Sequence, residues 1–113
     1  MVKYFSNSFL ALKVSFANEI HSLCDKLNID YNQVVKTAIK DVRIGSSHLS
    51  VPGPDGEYGF GGTCFPKDLS ALLSVFNDSK IESIVLKAAW ERNQNIDRRK
   101  QDWKLLKGRA VVE

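Results

Sequence analysis

One thiol in this sequence stands in a setting suited to a nucleophile. Residues 59–68 read Gly59-Phe60-Gly61-Gly62-Thr63-Cys64-Phe65-Pro66-Lys67-Asp68. Glycine lets the backbone take positive φ angles and lets a ligand lie against bare amides. Proline suits a first helical position, where its missing N–H costs no hydrogen bond. The run therefore predicts a helix starting at Pro66, with Cys64 just outside its N-terminus. A helix N-terminus favours a negatively charged sulfur, and Lys67 in the first turn adds a cation. Asp68, four residues past the thiol, falls on the same side of that turn, within reach of a water or proton beside the sulfur. Each feature also has an ordinary reading: a small buried hydrophobe, an acid complementing a helix dipole, a plain loop. Their combination favours a catalytic thiol.

The elements that must carry this motif are helical. From Val2 to Leu27 apolar residues are dense and no Gly or Pro interrupts them, which predicts one long helix. Its apolar positions exceed a single stripe, so it is expected to be buried on several sides or against a partner. Asp30 can cap a second helix from Tyr31 to about Lys40, with Val34, Val35, Ala38 and Ile39 turned inward. Residues 41–63 then lack helical periodicity and hold most of the glycines. A loop of that length in a compact domain is usually functional or disordered, and one that runs directly into Cys64 reads as functional. A third helix is expected from Pro66 to about Phe76, with Asn77-Asp78-Ser79 breaking it and capping a fourth, from about Lys80 to Asn95 or beyond. Gly108 ends the last pattern. The predicted fold is a single all-α domain spanning residues 1–113.

Length and composition bound the possibilities. The 113 residues are 43% hydrophobic and 26% charged, ordinary values for a soluble domain near the size at which association helps stability. No apolar run approaches the roughly 18 residues that would span a bilayer, and the N-terminus lacks the order of a secretory signal. A cytoplasmic protein with no membrane partner is expected. Cys24 and Cys64 form no CxxC pair, and His21, expected on a helix, and His48, expected in a loop, have no partner at ligand spacing. Neither a disulfide framework nor a metal site is indicated. The net charge of +3 arises wholly after residue 90, from Arg92, Arg98, Arg99, Lys100, Lys104, Lys107 and Arg109 against Glu91, Asp97, Asp102 and Glu113. Nucleic-acid binding is one reading of that tail. Interspersed acids favour a solvated helix face instead.

A second polar pair lies on the first helix. Lys3 and Asn7 are four apart and so share a face. Together they would make donors for an oxyanion or a phosphate, although spacing alone favours an exposed helix edge. Arg43 can bind an anion; alone it reads as a surface charge. Taken in order, 2–14, Asn18-Glu19, Arg43-Ile44-Gly45 and 59–68 resemble the central domain of the UDP-glucose 6-dehydrogenases, within the wider UDP-glucose/GDP-mannose dehydrogenase family. The likeness covers almost the entire chain.

That resemblance implies a four-electron oxidation of a sugar C6 alcohol to a carboxylate with two NAD⁺, through a sulfur-bound intermediate. Cys64 matches the nucleophile, Lys3 and Asn7 match the residues that steady an oxyanion, and Asp68 matches the carboxylate that handles water or a proton. Arg43 resembles an arginine that reaches the substrate of the neighbouring subunit. Tyr58, Gly59, Phe60, Gly61 and Gly62 resemble the loop that wraps the sugar nucleotide, and Lys67 is assigned to cofactor binding. A UDP-sugar substrate and a homodimer built on the first helix are implied. The family's nucleotide-binding domains, including the Rossmann domain for NAD, are expected to be absent or to come from a separate chain, leaving this chain unable to transfer hydride alone. The alternatives are a helical dimerisation or regulatory module that keeps the motif, or a relative acting on another nucleotide sugar such as GDP-mannose.

Overall fold

The uninterrupted stretch that opens the chain folds as one 25-residue helix, α1 (Val2–Lys26), roughly 37 Å long at 1.5 Å per residue. The computed structural model describes residues 1–99, which form four α-helices, a π turn and no strand. The all-α expectation holds. Asn28, in the left-handed conformation at φ 58°, closes α1: its N–H donates to Asp25 O and that of Ile29 to Cys24 O, the two bonds of a Schellman cap. Asp30 caps α2 (Tyr31–Ala38), its Oδ1 accepting from the backbone of Asn32 and Gln33. Of the four residues expected to face inward from α2, Val35 and Ile39 are partly buried, while Val34 and Ala38 are exposed.

Three boundaries differ from the sequence reading. Helix α3 (Cys64–Asp78) begins two residues before Pro66, which sits third in the helix. The first-turn amides have no helical partners in any case, so proline is tolerated there as well. Asn77, Asp78 and Ser79 neither break α3 nor cap its successor. They are solvent-exposed in its last turn, where their weak helix propensity costs little, and the stop comes at Lys80 (φ 59°) through a second Schellman cap, Ile81 N to Phe76 O and Lys80 N to Asn77 O. Helix α4 (Ile84–Arg92) starts later than expected and passes into a π turn at Asn93–Asp97. The expectations for Gly108 and for the basic residues after Arg99 lie outside the described residues.

Helix α1 is the axis, packing against α2, α3, α4 and the π turn. Small residues on it, Ala11, Ser15 and Ala17, are almost wholly buried and let neighbours approach closely; Ser15 Oγ donates to Ala89 O of α4 at 3.3 Å. One apolar cluster joins Ala11 to Phe60 and Leu69, with Val14, Phe65 and Trp90 around them. The other joins Ala17 and Cys24 to Tyr31 and Val51. Both clusters recruit a residue from the long loop, 39–63, and so fasten that loop to the helices.

Candidate active site

Cys64 is the first residue of α3 and is exposed, while Cys24 is buried in the core. Thr63 Oγ1 lies 3.7 Å from its sulfur. One turn further on, Asp68 is 1% exposed, and Asn7 Nδ2 donates to its Oδ2 at 2.6 Å. Two residues 61 apart in sequence, read separately as possible site groups, are thus joined. A buried carboxylate needs such a donor to offset its lost hydration. Lys3 lies one turn before Asn7 on α1 and is exposed; Lys67 is partly buried in the first turn of α3.

The glycine-rich segment leading to Cys64 is held by residues that the sequence reading did not single out. Asn18 of α1 is 4% exposed; its Nδ2 donates to Val14 O, which leaves Oδ1 free to accept from Gly59 N at 3.2 Å. Asn93 is fully buried. Its Oδ1 accepts from Phe60 N and its Nδ2 donates to Phe60 O, both at 2.8 Å, as a neighbouring strand would. Arg98, 5% exposed, donates Nε to Tyr58 O at 2.9 Å and Nη2 to Gly59 O at 3.4 Å, and pairs with Asp55 at 2.8 Å. Gly59 has φ 69°, and a Cβ there would collide with Asn93 Oδ1 and lie 2.9 Å from Asp97 Cβ. Only glycine fits.

This arrangement corrects the reading of residues 91–99 as a solvated face. Arg98 is interior, and the Arg92 side chain is 16% exposed, bonded to Asp97 at 3.1 Å and to Glu19 at 3.4 Å. Among the interspersed acids, Asp97 pairs with Arg92. The signal available in the sequence was Asp55 in a turn of the loop, an acid that a buried arginine would need.

The clasped segment walls a cavity of about 380 Å³ between the loop and α1, lined by Val14, His48, Asp55, Gly59, Phe60, Gly61, Phe65 and Arg98 among others. His48 and Phe65 lie 5.4 Å apart, ring to ring, and Phe65 is the residue after Cys64. With the amides of Gly59 and Phe60 and the Arg98 guanidinium bonded within the protein, the cavity offers a ligand the backbone at Gly61 and three aromatic residues, His48, Phe60 and Phe65, which suits flat or apolar faces. Gly62 is exposed at φ 76°. Tyr58 points elsewhere: its ring sits 6.1 Å from that of His21 and lines a separate cavity of about 240 Å³ with Asn18 and Asp97. Arg43 is not brought to the cavity either; its side chain is 86% exposed and forked onto Asp41.

Charge follows these contacts. Burial pushes the Asp55 carboxyl upward, but the Glu57 amide and the Arg98 guanidinium outweigh it and hold the group below its usual range. Burial raises Asp97, against the pull of Arg92 and with some push from Glu19. The Arg43 side chain lowers Asp41. Among the described residues no group of His, Cys, Asp and Glu is placed to hold a metal ion, and no helix is long and apolar enough to cross a membrane.

The long axial helix, the exposed thiol at the head of α3 and the clasped glycine loop make up a helical domain. Residues 1–95 match the model of the UDP-glucose/GDP-mannose dehydrogenase family, central domain, and the chain belongs to that family. It is 44% identical over 94 residues to a UDP-glucose 6-dehydrogenase of Rickettsia bellii, covering 83% of this chain and 20% of the relative. It is 40% identical over 95 residues to UDP-glucose 6-dehydrogenase YwqF of Bacillus subtilis, covering 84% and 20%. It is 35% identical over 102 residues to UDP-glucose 6-dehydrogenase AglM of Haloferax volcanii, covering 90% and 23%. The chain spans about a fifth of the length of these relatives.

Proposed function

We propose that this chain is the thiol-bearing central domain of a UDP-glucose 6-dehydrogenase and takes part in oxidising UDP-glucose to UDP-glucuronate. The observation that carries this reading is the exposed Cys64 at the head of α3, one turn before a buried Asp68 that Asn7 holds at 2.6 Å. The described residues are helical and form no strand-and-helix crevice of the kind that holds a dinucleotide. NAD⁺ would act as a co-substrate, taking one hydride in each of two oxidations.

The chain's own share is covalent. The Cys64 sulfur adds to the C6 carbon at the aldehyde level; a C–S bond forms, the carbonyl π bond breaks, and the oxygen takes up a proton to give a thiohemiacetal. Lys3 and Asn7 are the donors we assign to that oxygen. After the second oxidation a thioester remains, and water adds to its carbonyl carbon as Asp68 accepts a proton. The C–S bond breaks, the thiol regains a proton and the uronate leaves. Residues Gly59 to Gly62 are assigned to the sugar nucleotide, with Gly61 and Gly62 offering backbone because that of Gly59 and Phe60 is held by Asn18, Asn93 and Arg98; Tyr58 and Lys67 are assigned to substrate and cofactor, which for Tyr58 requires its ring to leave His21.

The reading includes a cytoplasmic homodimer. Its support is α1, on which Phe5, Phe9, Phe16 and Leu23 are each more than half exposed. Apolar grooves of about 420 and 360 Å³ meet beside them at Leu12. In a dimer, Arg43 would exchange Asp41 for the partner's substrate. Sedimentation showing a monomer at every concentration would remove this part. For the chemistry, the chain is combined with the NAD-binding domain of a relative and UDP-glucose, and NADH formation is followed. Cys64→Ala should abolish it; NADH formation that survives the substitution would sink the covalent step.

A further inference from the structure

We infer that Asn93 is a positioning residue whose side chain sets the conformation of the glycine-rich loop, with the π turn as the device that makes its hold possible. The inference rests on the reading that this loop receives a sugar nucleotide. Three features of the residue point the same way. Asn93 is fully buried, and both ends of its amide are spent on one residue, Phe60, at 2.8 Å each. Among the described contacts it bonds side chain to backbone across 33 residues, which ties α4 to the loop and not to another helix. Gly59 beside it has no room for a Cβ, the obstacle being Asn93 Oδ1 itself. Loop and amide are therefore fitted to each other.

The π turn explains how one short segment holds three successive loop residues. In an α-helix a residue five positions on lies about 140° around the axis, facing away. Here Arg98 N donates to Asn93 O at 2.8 Å, an i to i+5 closure that returns Arg98 to the side of Asn93. Asn93 takes Phe60, and Arg98 takes Tyr58 and Gly59. Neither residue reaches Cys64. Their effect on the site passes through the loop, and the three residues between Phe60 and Cys64 include two glycines that hold no shape of their own.

The test uses the whole chain and the near-isosteric change Asn93→Asp. When protonated, the new carboxyl can accept from Phe60 N and donate to Phe60 O, as the amide does; when ionised, it faces that carbonyl oxygen with a negative charge. Burial favours the protonated form. The charged groups packed around it are Asp97 and Arg98 on the π turn, with Arg92 and Glu19 beyond them, so the parent chain is run in parallel at each pH. Amide exchange read as protection factors from mildly acidic to alkaline pH should show Phe60 losing about tenfold or more once the buried carboxyl ionises, with most of the protection retained while it is protonated and helical circular dichroism unchanged. Protection of Phe60 that matches the parent across that whole range overturns the inference, and so does a loss that only tracks global unfolding.

Gly59→Ala attacks the same contact from the loop side with Asn93 intact and covers the case in which Asn93→Asp does not fold. It should lower Phe60 protection in the same way across that pH range; unchanged protection there also overturns the inference. Titration with UDP-glucose separates the two proposals. Binding by the parent that weakens about tenfold in the variants supports both. Failure of the parent to bind, with Phe60 protection still pH-switched, leaves the positioning role standing and counts against the sugar-nucleotide reading.

Discussion

The long loop takes part in two arginine–aspartate pairs, and they behave as opposites. Arg43 and Asp41 are two residues apart, and the arginine side chain is 86% exposed. Arg98 and Asp55 are 43 apart, and that arginine side chain is 4% exposed. The first pair organises only its own turn. The second closes the loop onto a different helix and, with Asn18 and Asn93, satisfies the backbone of residues 58–60. A short-range surface pair gains little, because water and salt screen it and both side chains lose freedom. A buried guanidinium that also bonds two carbonyls cannot be removed without leaving those groups unpaired. Two pairs alike in sequence terms thus differ in what they hold, and burial is the variable.

Substitutions can widen or collapse that contrast. The largest effect is expected at Gly59→Ala, where a left-handed φ costs an alanine about 1–2 kcal/mol and overpacking against Asn93 and Asp97 adds about 1–3 kcal/mol. Thermal melting should show a fall of several degrees for each kcal/mol, on the order of 4–8 °C in a domain of this size. Next comes Arg98→Ala, with an expected loss of about 2–3 kcal/mol in denaturant unfolding; a variant as stable as the parent would erase the distinction from Arg43. Lysine should not rescue it, since one ammonium cannot reproduce the forked contacts to Tyr58, Gly59 and Asp55.

The same pair gives a pH signature. Asp55 is held below its usual range, so its contribution is present above the ordinary carboxylate pKa of about 3.9 and is lost as pH falls through its own lower value. Arg98→Ala should flatten this acid limb of the stability curve. Asp97, raised by burial, runs the other way: its contribution is full below the ordinary pKa and declines as pH rises through the folded value. The smallest effect is expected at Arg43→Ala, which should leave the melting midpoint of the isolated chain unmoved. If the dimer forms as proposed, the same change should weaken UDP-glucose binding in the dimer; a drop in melting temperature without that weakening would show that the exposed pair is structural after all.

Much of this was legible from residue order. The unbroken apolar run of 2–27, the Asp30 cap and the helical class follow from local rules, and so does the choice of Cys64, because glycines, proline and nearby charges act within a few residues of one another. Asn18, Asn93 and Arg98 were not found, since an amide or a guanidinium on a helix looks the same in sequence whether it meets water or a loop 40 residues away. The π turn has no composition that announces it. Asn77 and Asp78 misled for a related reason: their preference for turns is weak, and the helix ran past them to a cap at Lys80, a residue that sequence does not mark for the left-handed region as a glycine would. What stayed hidden was the partner of each polar group, a property of the folded chain alone.

The π turn also makes the length of one segment matter more than its composition. Between Asn93 and Arg98 the backbone holds one residue more than an α-turn would. Deleting one of the four residues between them would let the helix close in its usual way with the guanidinium four positions after Asn93, about 40° around the axis and still beside it, whereas inserting one would carry it about 240° around an α-helical axis, away from Tyr58 and Gly59, although every side chain that bonds the loop would still be present. Tolerance to substitution along 94–96 and intolerance to a single insertion there would be two faces of the same geometry.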